Sequence, residues 1–221
     1  MRMLVVALVL LGTSQPTLAD TDTDNQVWTA VLGNAKLGDQ SSGLSLWLDT
    51  HLRRGDAGTV HIARPGIGWR LNPSLSVWAG YAWVPVFTDG ADAVHEHRAW
   101  QQLILKTKLD SGLALQSRTR FEQRFSGAGD DTAFRIREFV RVGHPLRGPF
   151  GLVAWDELFI GLNDVDWGAS AGFDQNRLFL GGSAKIAGGL RVEMGYLFVY
   201  LNREPNNIVA HVLATNLFVA L

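Results

Sequence analysis

The sequence predicts an all-β chain folded as a single antiparallel up-and-down transmembrane β-barrel of ten to twelve strands, twelve being preferred. Three observations carry that expectation. First, apolar and charged residues alternate through 113–141. Gln116, Arg118, Arg120, Glu122 and Arg124 fall on one parity, and Leu113, Leu115, Ser117, Thr119, Phe121, Gln123 and Phe125 on the other. Arg135, Arg137 and Arg141 then oppose Phe134, Ile136, Val140 and Val142. A period of two is that of a strand, whose successive side chains point to opposite faces. Second, residues 1–19 read as a secretory signal, with Arg2 at a basic start, an apolar run from Met3 to Leu11, and Thr17-Leu18-Ala19 before Asp20. Third, the turns fall into two alternating classes.

Taken in order, the candidate strands are 25–36, 41–53, 57–70, 74–87, 94–109, 112–126, 131–145, 150–162, 171–187, 189–202 and 207–221. No segment carries a 3.6-residue apolar period, and none offers the roughly 18 consecutive apolar residues of a transmembrane helix. Short turns at Asn72-Pro73, Asp110-Ser111-Gly112, Arg147-Gly148-Pro149 and Gly188-Gly189 alternate with longer polar loops at 86–94, 126–131, 162–171 and 202–207. That sorting matches short periplasmic turns facing longer extracellular loops. Eleven candidates conflict with the even strand number of single-chain bacterial barrels. Either 25–36 does not cross as a regular strand, which leaves ten, or an early segment hides a twelfth. The last candidate is apolar, with Phe218 three residues before Leu221. The domain organisation expected is a signal over 1–19 and one barrel over 20–221.

Composition narrows the functions. The chain has no cysteine, so disulfides and thiolate metal sites are excluded. A formal net charge of −1 predicts no nucleic-acid partner. Tryptophan outnumbers tyrosine by 8 to 3, as suits side chains placed at membrane interfaces.

Several blocks resemble an uncharacterised bacterial outer-membrane β-barrel family, the domain of unknown function 2490. They are Gln26-Val27-Trp28, Arg64-Pro-Gly-Ile-Gly68, Leu75-Ser-Val-Trp-Ala-Gly-Tyr-Ala-Trp83 and Glu96-His-Arg-Ala-Trp-Gln-Gln102, then Arg118-Thr-Arg-Phe-Glu-Gln-Arg124, Asp156-Glu-Leu-Phe159 and Gly172-Phe-Asp-Gln-Asn-Arg177. The resemblance covers nearly the whole of 20–221. It implies an outer-membrane-type barrel and no particular activity.

The candidate lumen and ligand residues are Glu96, Arg98, Arg118, Arg120, Glu122, Arg124, Arg135, Arg137, Arg141, Arg177, Arg191 and Glu193. Strand parity groups them, and an arginine facing lipid at mid-depth would cost roughly 2–4 kcal/mol. They form either a ladder of ion pairs filling a narrow barrel or a basic constriction for anions. Glu138, Asp156 and Glu157 could offset the positive surplus, but parity leaves their faces open. His95, His97, Asp156 and Asp174 are rim candidates. His95 and His97 share a strand face and could ligate a metal, but no third ligand is identifiable, so no metal site is expected. Catalytic residues and cofactors are not assigned, since no nucleophile motif appears. The expected function is structural or that of a narrow anion-leaning small-solute pore; the alternative is an enzyme acting on lipid or peptide at the extracellular rim. The partners expected are outer-membrane lipid, the barrel-assembly machinery and small anionic solutes, for a monomer in the cell outer membrane.

Overall fold

The computed structural model describes residues 21–38, 43–56 and 58–220. The signal segment 1–19 lies outside them. Among the described residues the chain forms eleven strands and no helix: β1 (Thr21–Lys36), β2 (Leu44–Gly55), β3 (Gly58–Arg70), β4 (Leu75–Thr88), β5 (Val94–Lys108), β6 (Ala114–Ser126), β7 (Thr132–Pro145), β8 (Phe150–Gly161), β9 (Gly172–Ala187), β10 (Leu190–Leu201) and β11 (Asn207–Ala220). They close into a barrel in which each strand pairs with its sequence neighbours and β1 meets β11.

Eleven lies inside the expected range but differs from the preferred twelve. The even-number argument fails at one place. In a chain of alternating strands, an odd count leaves the first and last pointing the same way. Here β1 and β11 pair in parallel from Thr21 with Asn207 to Asn34 with Ala220, while every other ladder is antiparallel. The segment 25–36 therefore belongs to a regular strand of the barrel, β1, paired on both sides.

The connections 71–74, 109–113, 146–149 and 188–189 gather at one mouth of the barrel, called here the turn mouth. The connections 89–93, 127–131, 162–171 and 202–206 gather at the other, the loop mouth. The first two connections reverse the sorting, since β1 ends and β2 begins at the turn mouth while β2 ends and β3 begins, after fewer residues, at the loop mouth. Strands of 12 to 16 residues exceed the roughly 9–11 that a tilted strand needs to cross a bilayer.

Burial in this barrel is inverted relative to a soluble domain. The outward face exposes Leu48, Leu52, Leu103, Val140, Leu152, Leu178, Leu180, Met194 and Leu213. Aromatic residues fringe this belt. Phe87, Phe125, Phe134 and Phe173 lie near the loop mouth, and Trp69 and Phe150 near the turn mouth. Outward polar residues occur as cross-strand couples: Gln101 with Gln123, Thr119 donating to Glu138 at 3.0 Å, and Asn176 donating to Asp156 at 3.0 Å. Parity thus places Glu138 and Asp156 outside and Glu157, 4% exposed, inside.

The lumen has two unlike walls. On β8 to β11 it is apolar, with Val153, Phe179, Leu197, Val199, Ala210, Val212 and Ala214 packed together and touching Trp28 and Trp155. A second apolar cluster on β3 to β5 joins Ile62, Ala82, Val84 and Trp100 to Trp47 and Trp78. The tryptophans depart from the interface expectation, because Trp28, Trp47, Trp78, Trp100 and Trp155 turn inward while Trp69 and Trp83 face out. Trp100 fits because Gly66 and Gly80 lie beneath it: a Cβ at either position would stand 2.5 Å from its ring.

Candidate functional site

Charged residues make the other, unlike wall, on β5 to β8. On β5, β6, β7 and β8 every second residue points inward, which aims long arginine and glutamate side chains from four adjacent strands at one axis. Glu122, 1% exposed, accepts from Arg135 at 2.6 Å and Arg137 at 2.7 Å. Arg137 also donates to Glu157 at 2.7 Å, where Arg118 is a further donor and Arg177 stands 3.9 Å away. Arg120 donates to the Gln102 carbonyl at 2.6 and 2.9 Å and lies 3.8 Å from Glu122. Charge-assisted bonds of this kind are about twice as strong as neutral ones, and stripping one partner from such a set is far costlier than the set is stabilising.

The remaining ion pairs sit nearer the mouths. Towards the loop mouth, Glu96 accepts from Arg98 at 2.8 Å and Arg124 at 2.6 Å. Asp174 accepts from Arg135 and from Arg203 of the 202–206 connection, both at 2.8 Å, which ties that loop to the barrel wall. Near the turn mouth, Glu193 holds Arg141 and Arg191. Beside them a basic vestibule of about 620 Å³ is lined by Lys106, Lys108, Gln116, Arg141 and Arg191. Every candidate lumen residue named from the sequence therefore points inward and joins this network or its edge.

Arginines outnumber their acidic partners, and aromatic faces take up the difference. Guanidinium carbons lie 4.4 to 5.1 Å from the Phe159 ring for Arg135, Arg137 and Arg177, 4.7 Å from Trp100 for Arg120, 4.6 Å from Phe139 for Arg118 and 4.1 Å from Phe218 for Arg191. A cation over a ring gains about 0.5–2 kcal/mol, the more so when desolvated.

The longest loop covers part of the loop mouth. Asp166 accepts from the backbone N–H groups of Asp130 and Asp131, Trp167 donates to the Asp131 carbonyl, and the Trp167 ring covers Arg124 at 4.9 Å. The rim histidines do not join the lumen. His97 bonds to the Tyr81 hydroxyl and His95 stacks on Trp83, both on the outward face. Asp156 is likewise outside, and of the four rim candidates only Asp174 reaches the network. The described residues hold no group of three or more His, Cys, Asp or Glu arranged for a metal.

Sequence parity missed a contribution from the first three strands. Asp49, 1% exposed, accepts from Arg64 and Trp47 and faces His51 at 3.3 Å. Arg53 stacks over Trp28 at 4.0 Å. Asp49, His51 and Arg53 alternate with Leu48, Thr50 and Leu52, so the signal was present but short.

Residues 25–210 match the family described as a protein of unknown function, DUF2490. The chain belongs to this family. It is 36% identical to an uncharacterized protein of Methylorubrum extorquens, over 99% of this chain and 97% of that one. No solved structure matches. The DUF2490 family, as described, assigns no role, which leaves the role to be argued from the lumen.

Proposed function

We propose that this DUF2490 protein is an outer-membrane barrel whose lumen is closed by its own side chains, and that it serves as a structural element of the membrane rather than as an open pore. The observation that supports this reading is the inverted burial. Arg120, Glu122, Trp100, Phe159 and Phe179 are 0–1% exposed at the axis, while large apolar side chains are exposed over the whole outer wall. Soluble monomers rarely expose contiguous apolar patches beyond several hundred Å². Barrels in lipid do so, with aromatic girdles at both edges. The signal read over 1–19 supplies the export route, and the assembly machinery and outer-membrane lipid are the partners this reading requires.

A narrow anion-leaning pore, the other expectation, would need a continuous aqueous path past the arginine layer. Arg120, Glu122, Arg135 and Arg137, 0–4% exposed, argue against one. The experiment is to refold residues 20–221 into lipid vesicles and then into planar bilayers. Heat-modifiable gel mobility together with an absence of steady conductance is expected. A steady anion-selective conductance would overturn the closed lumen, and a chain that stays in solution without detergent would overturn the membrane assignment.

A further inference from the structure

At the loop mouth lies a pocket of about 270 Å³ between β1 to β4 and β9 to β11. Its upper wall is Val60, Val86, Val199, Leu201 and Ala210, and its polar end carries Arg53, Arg177, Gln175 and Trp28. Two features mark these arginines together, the second of which they share with Arg64 and Arg118. Both lie over one ring, Arg53 at 4.0 Å and Arg177 at 5.0 Å from the centre of Trp28. Both also carry a buried Nε with no hydrogen-bond partner among the described residues.

Their neighbours do not neutralise them. Arg53 makes no ion pair among the described residues, and Arg177, 8% exposed, has only Gln175 at 3.2 Å and the distant edge of Glu157 at 3.9 Å. The nearby carboxylate, Asp24, is engaged elsewhere. It accepts from Gln26 and from the Asp56 backbone, while Gln26 in turn accepts from Trp28. Gly55 makes this arrangement fit, since a Cβ there would stand 2.8 Å from Gln26 and 2.9 Å from Asp24. A buried polar group without a partner is costly, and two like charges over one ring are more so. An anion entering from the loop mouth would relieve both. The apolar wall favours an anion with a hydrophobic body over a bare inorganic one.

We infer that the Arg53–Trp28–Arg177 pocket at the loop mouth is a binding site for a small carboxylate with an apolar or aromatic body. The carboxylate bonds to the two guanidiniums and the body rests on Val60, Val86 and Leu201. This site does not depend on whether the barrel conducts, because Arg53 takes no part in the ion-paired layer, which Arg177 only borders at 3.9 Å from Glu157.

The test is a fluorine NMR titration of 4-fluorobenzoate into the refolded, heat-modifiable protein. Saturable broadening is expected for 4-fluorobenzoate and none for 4-fluorobenzylamine, the cation of similar shape. Arg53→Gln, which lies outside the ion-pair network and leaves the fold intact, should weaken binding about tenfold or more. Val86→Phe, which keeps both arginines but fills the wall, should weaken it as well. Undiminished binding in Arg53→Gln, equal binding of the amine, or displacement by equimolar inorganic phosphate would overturn the assignment.

Discussion

The two walls of the lumen solve the same problem with opposite chemistry. On β5 to β8 the inward positions carry Arg118, Arg120, Glu122, Arg135, Arg137 and Glu157, each held by partners on other strands, and Arg98, held by Glu96 of its own strand. On β9 to β11 they carry Phe179, Leu197, Val199, Val212 and Ala214, packed as an ordinary core. Both walls exclude water. The charged wall does so with side chains long enough to reach the axis, and it is stable only as a set. The apolar wall needs no set, so a change there acts locally.

Removing one charge therefore tests the contrast most severely. Glu122→Gln leaves Arg135, Arg137 and Arg120 around a neutral group, and a loss of about 3–5 kcal/mol is expected from the urea midpoint of the vesicle-refolded protein. A loss below 1 kcal/mol would mean that water already reaches these arginines. On the other wall, Leu197→Ala should cost roughly 3 kcal/mol by cavity formation alone, adding to the Glu122→Gln loss in the double variant. Strong non-additivity would show that the two walls act as one unit. The smallest effect concerns the outside. Asp156→Leu replaces an outward carboxylate near mid-strand, and should stabilise the barrel in a bilayer by up to about 2 kcal/mol. Destabilisation would place that face against something other than lipid.

The same contrast explains what could be read from the sequence. The strand positions were legible because turn residues punctuate them, and β5 to β8 were legible in orientation because apolar and charged residues alternate there. Along 197–201 of β10 and 212–214 of β11 both faces are apolar. Val199 and Phe198, or Val212 and Leu213, give no parity signal, so the apolar wall was invisible and the lumen seemed more uniformly charged than it is. Tryptophan misled for a related reason. An amphipathic ring suits a membrane edge and equally suits a lumen where arginines need a π face, and Trp28 and Trp100 occupy the second setting. Trp28 and Arg53 could be joined only by the β1–β2 register, which pairs the two residues directly. Parallel closure was equally out of reach, because odd or even strand number depends on whether one weak segment crosses.

The parallel seam also sets an order of events. Every other ladder joins strands that are neighbours in sequence, so it can zip from a hairpin. The β1–β11 ladder joins residues such as Trp28 and Ala214, nearly the whole chain apart, through the slanted and slightly weaker bonds of parallel pairing. Loop-closure entropy makes such a contact the slowest to form. On kinetic grounds the barrel is a curled ribbon until its last step, and the seam that closes last is also the line along which it reopens first.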